Sequence, residues 1–221
     1  MPNWTFRIKK TTAMKFYDCK TAPSPRRVRI FIAEKGLQIE TVEVDLRSGE
    51  HLGDEFRAMN PDCTVPILEL ESGQTITEVT PICRYLEEMF PETPLLGRDA
   101  AERAQVSDWI AKVEQQGLGA IAELFRNRAK GFAGRAVTGP VSIEQIPELA
   151  ERGMQRTGVF FDRLNKHFAS NQYLAGDYYS FADISAFVAV DFAAWSKIEI
   201  GEEREALQRW YDLVRARPAI C

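Results

Sequence analysis

The sequence predicts an α/β domain followed by an all-helical domain, and two patterns lead to this fold class. Residues 14–90 alternate strand and helix patterns in the order βαβ-α-ββα, and a strand–helix–strand crossover normally gives two parallel strands. After a proline-punctuated stretch at 91–98, apolar residues recur at helical spacing through most of residues 99–221. We therefore expect an N-terminal extension at 1–13, an α/β domain, a linker and a helical domain within these bounds.

Composition excludes several classes of protein. The chain has 221 residues, 45% of them hydrophobic, and a net charge of −4, whereas nucleic-acid-binding domains are usually basic. No apolar run reaches the roughly 18 residues of a membrane span. The four cysteines form no C-x-x-C pair, and the chain has two histidines. We therefore expect a cytoplasmic protein with no metal site, no nucleic-acid partner and no membrane partner.

The first elements follow from prolines and alternation. A strand is predicted at Met14–Asp18, and a proline-containing loop follows it. Pro25 suits the first turn of a helix, so Ser24 before it is the predicted N-cap. Alternation over Ile39–Val44 predicts the second strand. The arginines on the intervening helix are predicted to form a solvated face: Arg26, Arg27 and Arg29.

The segment Asn60–Leu70 is the centre of the predicted site. Pro66 cannot donate a ladder hydrogen bond, so we expect it to begin a strand. If the Val65–Pro66 bond is cis, Val65 turns its N–H and C=O away from the sheet, free to pair with an extended peptide. The hairpin partner is predicted at Thr75–Thr77, and a helix opens at Glu78 with N–H groups that attract an anion. These features predict a site for a small anionic peptide.

The second half of the chain is predicted to be helical. The pattern S-F-A-D at 180–183 is a capping box, with a serine N-cap and an acid three residues later. The helices are predicted at about 99–129, 142–168, 184–195 and 202–215.

Taken together, these segments resemble the cytosolic glutathione transferases from residue 14 onward. The matching segments are N-P-x-x-x-V-P at 60–66, I-T-E-V-T-P-I-C-R-Y-L at 76–86, P-R-R-V-R-I-F-I-A-E-K-G-L at 25–37, D-L-R-S-G-E-H at 45–51, the capping box and the closing W-Y-D-L-V-R-A-R-P. The resemblance implies a thioredoxin-like N-terminal domain, an all-helical C-terminal domain and a homodimer. It also implies glutathione as co-substrate, without a metal, and a role in detoxification.

Such an enzyme must turn the glutathione thiol, whose reference pKa is about 8.5, into the nucleophilic thiolate. The family places the activating group between the first strand and the first helix. Ungapped alignment on Arg27-Val28-Arg29 puts Ala22 at the position usually held by Ser or Cys, and alanine has no side-chain donor. A further possibility is that the backbone N–H groups at the helix start bind the sulfur alone. The candidate side chains are Thr21 and Ser24 and, further off, Cys19 and Tyr17.

The resemblance also assigns the rest of the pocket. Val65 would pair with the cysteinyl main chain, and Glu78 would meet the γ-glutamyl ammonium group. Val79 stands where the family usually has Ser, so only its N–H is offered to the γ-glutamyl carboxylate. His51 would contact the glycyl carboxylate. The full set of implied glutathione-binding residues is His51, Thr64, Val65, Glu78, Val79 and Thr80.

Phe125 and Trp109 are the predicted electrophile-binding residues, with Phe132 and Trp195 as further candidates. The predicted function is addition of the glutathione thiolate to small electrophiles. One alternative is a glutathione-dependent disulfide reductase or peroxidase on the same scaffold. The other is a non-catalytic binding module, which the departures at Ala22 and Val79 favour.

Overall fold

The structure is a computed structural model that describes the main chain of residues 9–220 and the side chains of residues 14–220. The chain divides into two compact units between Thr93 and Pro94, inside the predicted linker. Residues 1–8 of the predicted extension lie outside the described residues.

Unit 1 contains a mixed four-stranded sheet in the order β2-β1-β3-β4. Strands β1 and β2 are parallel, as the predicted crossover requires, and β3 is antiparallel to both β1 and β4. The thioredoxin-like βαβ-α-ββα arrangement is thereby confirmed. Its elements are β1 (Lys9–Asp18), α1 (Pro23–Glu34), β2 (Leu37–Glu43), a short 3-10 helix (Glu50–Leu52), α2 (Asp54–Met59), β3 (Ile67–Glu69), β4 (Thr75–Ile76) and α3 (Val79–Met89).

Strand β1 begins at Lys9, so the predicted start at Met14 is wrong and residues 9–13 belong to the sheet. Lys9 pairs with Leu37, and the register between β1 and β2 shifts between Thr11 and Lys15. An irregularity of this kind breaks the period-2 alternation of side chains. This is why the sequence showed no clear strand pattern there.

A buried ion pair links α1 to α3 in unit 1. The Lys35 side chain is 1% exposed, and its Nζ lies 2.6 Å from a carboxylate oxygen of Glu87. The same ammonium group donates a hydrogen bond of 2.7 Å to the carbonyl of Thr93. The pair therefore also secures the end of unit 1, because Thr93 is its last residue before the division.

Unit 2 is helical, as predicted. The predicted helix from Ser142 begins only at Pro147, because Ser142 and its neighbours form a loop closed by hydrogen bonds between Ala136, Ile143 and Gly134. No helix within residues 9–220 combines the length and apolar character that crossing a bilayer requires. The elements are α4 (Ala100–Lys112), a π-helical turn (Val113–Leu118), α5 (Gly119–Arg128), a 3-10 turn (Lys130–Phe132), α6 (Pro147–Phe168), α7 (Phe181–Ala194) and α8 (Glu205–Arg215).

The capping box at the start of α7 is confirmed. Ser180 is the N-cap, and the side chain of Asp183 accepts a hydrogen bond from the Ser180 main chain. Asp183 also accepts from the main-chain N–H of Leu174 and from Trp210 Nε1, each at 3.0 Å. Complete burial raises the pKa of Asp183 to about 6, although these hydrogen bonds act to lower it.

Candidate active site

One end of the sheet in unit 1 gathers the segments that the sequence singled out. Tyr17 of β1 pairs with Ile67, and Leu68 of β3 pairs with Ile76 of β4. Because β3 runs antiparallel to both neighbours, its N-terminal end lies beside the C-terminal ends of β1 and β4. Val65 just precedes β3, the loop into α1 follows β1, and α3 follows β4. These three segments therefore meet at this end.

Val65 presents a main chain that the sheet does not use. The Val65–Pro66 peptide bond is cis. Strand β3 begins at Ile67, and within residues 9–220 the N–H and C=O of Val65 have no hydrogen-bond partner. The side chain of Val65 packs against the small core formed by Val44, Phe56 and Ile67. Packing of its side chain therefore holds Val65 in place, while its N–H and C=O are available to a ligand.

Asn60 holds the turn that leads to Val65. It is 1% exposed, and its Nδ2 donates to the carbonyl and hydroxyl oxygens of Thr64 at 2.9 and 3.0 Å. Its Oδ1 accepts from the main-chain N–H of Asp62 at 3.1 Å. Cys63, inside this turn, has a φ of 52°, a conformation that most residues avoid. Thr64 therefore supports the turn, and Asn60 is a residue whose role was not predicted.

Helix α3 starts beside this turn with two donors. Glu78, predicted as the first helical residue, is instead the N-cap, with an exposed side chain that makes no capping hydrogen bond. Val79 and Thr80 follow, and Pro81 has no N–H. The N–H groups of Val79 and Thr80 are therefore the first-turn donors that point out of the helix end.

Helix α1 starts with a single donor. Its N-cap is Ala22, so the prediction that Ser24 is the N-cap is wrong. The helix begins two residues earlier than predicted, because Pro23, like Pro25, fits the first turn. Neither proline has an N–H, so Ser24 carries the first-turn donor. Ser24 is half-buried, and within residues 9–220 neither its N–H nor its hydroxyl has a hydrogen-bond partner.

The other predicted activating groups differ in availability. Thr21 is exposed, and its hydroxyl lies 3.4 Å from the sulfur of Cys19, which is 5% exposed. The Tyr17 hydroxyl donates to a carboxylate oxygen of Glu69 at 2.7 Å. Burial, together with that carboxylate, raises the pKa of Tyr17 to about 12. Tyr17 therefore has no donor left for a thiolate.

His51 lies half-buried in the short 3-10 helix after β2. The preceding loop is held by Asp45, which accepts hydrogen bonds from the main-chain N–H groups of Arg47 and Ser48 at 2.8 and 3.2 Å. These bonds lower the pKa of Asp45. Because β1 and β2 are parallel, this loop leaves the same end of the sheet as the loop into α1.

The arginines of α1 do not form the solvated face that was predicted. Arg27 is 6% exposed, and Arg29 binds the buried carboxylate of Asp18. The sequence carried a signal for Arg27, because the buried Ile30 and Phe31 lie three and four residues after it, on the same face of the helix.

Among the predicted electrophile-binding residues, the structure brings three into one aromatic cluster in unit 2. The ring centroid of Phe125 lies 5.1 Å from Phe132, 5.7 Å from Trp195 and 5.5 Å from Phe192. Trp195 is 51% exposed. Trp109 is not part of this cluster: its ring packs edge-on against His167 at 4.5 Å.

Within the described residues, no group of three or more histidine, cysteine or acidic side chains is placed to hold a metal ion.

Comparison with known proteins assigns the family. The profile described as glutathione S-transferase, N-terminal domain, matches residues 21–89, and that of the C-terminal domain matches residues 129–218. Glutathione S-transferase 2 of Saccharomyces cerevisiae is 33% identical over 213 residues, covering 94% of this chain and 88% of the relative. Glutathione S-transferase F9 of Arabidopsis thaliana is 30% identical over 200 residues, covering 89% of each.

A solved structure agrees with this assignment. The crystal structure of a glutathione S-transferase domain-containing protein from Marinobacter aquaeolei VT8 has a TM-score of 0.86 and 35% sequence identity, and it covers 94% of this chain and 100% of that chain. The chain therefore belongs to the glutathione S-transferase family.

Proposed function

We propose that this chain is a glutathione transferase that binds glutathione at the Val65 end of the sheet and attacks small electrophiles with its thiolate. The observation that carries the proposal is the unused main chain of Val65 beside the starts of α1 and α3. An extended peptide can pair with such a main chain as an added strand does. The cysteinyl residue of glutathione is the part that would lie there.

The two ends of glutathione find complementary groups around Val65. The N–H donors of Val79 and Thr80 suit the γ-glutamyl carboxylate, because a helix N-terminus carries partial positive charge. The exposed carboxylate of Glu78 suits the γ-glutamyl ammonium group. His51 is the candidate for the glycyl carboxylate, and Thr64 contributes by shaping the turn.

Ser24 is the group best placed to stabilise the thiolate. Its N–H and hydroxyl are both donors, and neither has a partner within the described residues. Lowering the thiol pKa by about two units, equivalent to about 2.7 kcal/mol, makes most of the glutathione thiolate at pH 7. The sulfur then forms a bond to the electrophilic carbon, and a leaving group such as chloride departs with its bonding electrons. Thr21 is the second candidate, with its hydroxyl already near the Cys19 sulfur.

Phe125 is the proposed electrophile contact, supported by its aromatic neighbours in unit 2. Flat aromatic faces bind aromatic electrophiles by stacking or edge contacts. Trp109 is retained as a weaker candidate, because its ring already packs against His167.

Glutathione titration by calorimetry, with conjugation of chlorodinitrobenzene, tests the proposal. We expect binding at millimolar glutathione or below, and turnover that falls at least tenfold in Ser24→Ala with little change in glutathione affinity. Ser72→Ala, in the exposed β3–β4 turn, is the matched control and should keep full turnover. Absence of glutathione binding at millimolar concentration would remove the proposal.

The same assay distinguishes the sulfur-binding groups. If Thr21→Ala lowers turnover and Ser24→Ala does not, Thr21 is the activating side chain. If both variants keep turnover, the Ser24 main-chain N–H binds the sulfur alone. Parallel assays with a hydroperoxide and a glutathione-capped disulfide measure the alternative reaction classes.

Family membership also supports a homodimeric, cytoplasmic protein that acts in detoxification. Light scattering coupled to size exclusion measures the oligomeric state directly, and a monomer at micromolar concentration would contradict the dimer.

A further inference from the structure

The end of β1 and the middle of α1 are joined by an ion pair that the proposed chemistry does not use. Asp18, the last residue of β1, is 1% exposed. Arg29 Nη1 lies 2.7 Å from Asp18 Oδ1 and 2.5 Å from Oδ2. The Arg29 side chain is 32% exposed, so its guanidinium group covers the buried Asp18 carboxylate on the solvent side.

The same arginine also holds the loop between the two elements. Arg29 Nη2 donates to the main-chain carbonyl of Lys20 at 3.3 Å. On its other side, the Lys20 N–H donates to a carboxylate oxygen of Glu43 at 3.0 Å. The Asp18 carbonyl accepts from the Val44 N–H at 2.7 Å. The loop is thereby tied to β2 and to α1 through its main chain.

This loop determines where α1 begins. It spans only residues 19–22, and the Ala22 N–H closes it by donating to the Cys19 carbonyl at 2.9 Å. Pro23 and Pro25 then fix the φ angles on both sides of Ser24. Because both prolines are rigid, a shift of the loop carries the Ser24 N–H and Cβ with it.

We propose that Arg29 is a positioning residue for thiol activation: by binding the Asp18 carboxylate and the Lys20 carbonyl together, it holds the loop so that Ser24 faces the glutathione sulfur. This inference rests on the proposed glutathione site. Arg29 acts through geometry, because Asp18 cancels its charge locally. A displacement of about 1 Å at a reacting group can cost about a hundredfold in rate. The hydrogen bonds that hold the main chain of this loop to β2 and α1 prevent such a displacement of Ser24.

Two variants separate positioning from stability. Arg29→Met leaves the Asp18 carboxylate buried without its partner, which strongly destabilises a fold. The double variant Asp18→Leu with Arg29→Met replaces the ion pair by apolar side chains, so we expect it to recover most of the thermal stability. It does not restore the bond to the Lys20 carbonyl. Arg84→Met, which removes an exposed arginine paired with Glu88 on α3, is the matched control.

The decisive readout is the pKa of bound glutathione, followed by thiolate absorbance near 240 nm and by the pH profile of kcat/KM. In the double variant we expect this thiol pKa to rise by about one unit, which lowers the thiolate fraction at pH 7 about threefold. The deficit should shrink as the pH rises above about 7.5 and be nearly gone by about pH 9, where the bound thiol is ionised in both proteins. Because binding is linked to the thiol pKa, glutathione affinity at pH 7 should fall by about the same factor of three and no more, since Val65 and α3 are untouched.

Each outcome decides something. A folded double variant with the wild-type thiol pKa and pH profile shows that the pair serves stability alone and overturns the inference, while the proposed function stands. A raised thiol pKa in the double variant, with Arg84→Met unchanged, supports it. A wild-type protein that neither binds glutathione nor shows a thiolate band overturns the proposed function and this inference together.

Discussion

Replacing Asn60 by alanine tests whether the turn before Val65 positions its main chain. Asn60 makes three side-chain hydrogen bonds, two as donor to Thr64 and one as acceptor from Asp62. At about 1 kcal/mol each, their loss lowers the free energy of unfolding by about 3 kcal/mol. Released from Asn60, the turn can shift, so glutathione should bind about tenfold more weakly, which corresponds to about 1.4 kcal/mol.

Urea denaturation and calorimetric glutathione titration measure the two effects separately. Asn60→Asp has the same shape but replaces the amide donor by an acceptor, so we expect it to lose at least as much as Asn60→Ala. Asn171→Ala is the control, because this exposed asparagine donates to the His167 carbonyl in unit 2. Its change should stay within about 0.5 kcal/mol. If Asn60→Ala is destabilised but binds glutathione with unchanged affinity, the turn does not position Val65.

Three further predictions concern stability. Lys35→Met leaves Glu87 buried without its cation and should cost about 3 kcal/mol in urea unfolding, whereas adding Glu87→Leu should recover most of that loss. The raised pKa of Asp183, about 6, means that its contribution is fully present below the unfolded pKa near 4 and is lost as pH rises to about 6. The loss is about 3 kcal/mol, and this pH dependence should vanish in Asp183→Asn. An alanine Cβ at Gly153 would lie 2.6 Å from the Leu124 main-chain nitrogen, whereas at Gly158 on the same helix it meets nothing within 4 Å. Gly153→Ala should therefore lower the melting temperature. Gly158→Ala should raise it slightly, because alanine is more favourable than glycine in a helix by about 1 kcal/mol. Equal shifts in melting temperature would contradict the packing of α6.

Local rules predicted the order of the elements but not all of their ends. Gly36 and Pro218 predicted where α1 and α8 end, and the capping box at Ser180 predicted where α7 starts. The start of α1 was misplaced because side-chain capping rules favour Ser24, whereas Pro23 begins the helix without any side-chain cap. The start of β1 was hidden by its register shift.

The candidate site was predicted where it depends on main chain and was incomplete where it depends on tertiary contacts. Pro66 restricts its own segment, so the open main chain of Val65 could be foreseen from local chemistry. The partner of Arg29 could not be foreseen, whereas the contacts of Asn60 to Asp62 and Thr64 are local and follow the rule that Asn side chains bond to nearby main chain. Asp18 and Arg29 meet only once α1 packs on β1, and hydropathy gives no sign of which buried polar groups find each other.

The most direct measurement is a crystal structure of this chain with glutathione bound. We expect the cysteinyl N–H and C=O to pair with the main chain of Val65, the γ-glutamyl carboxylate to lie at the start of α3, and the sulfur to lie within hydrogen-bond distance of Ser24. Glutathione bound elsewhere, with the Val65 main chain still open to water, would contradict the account.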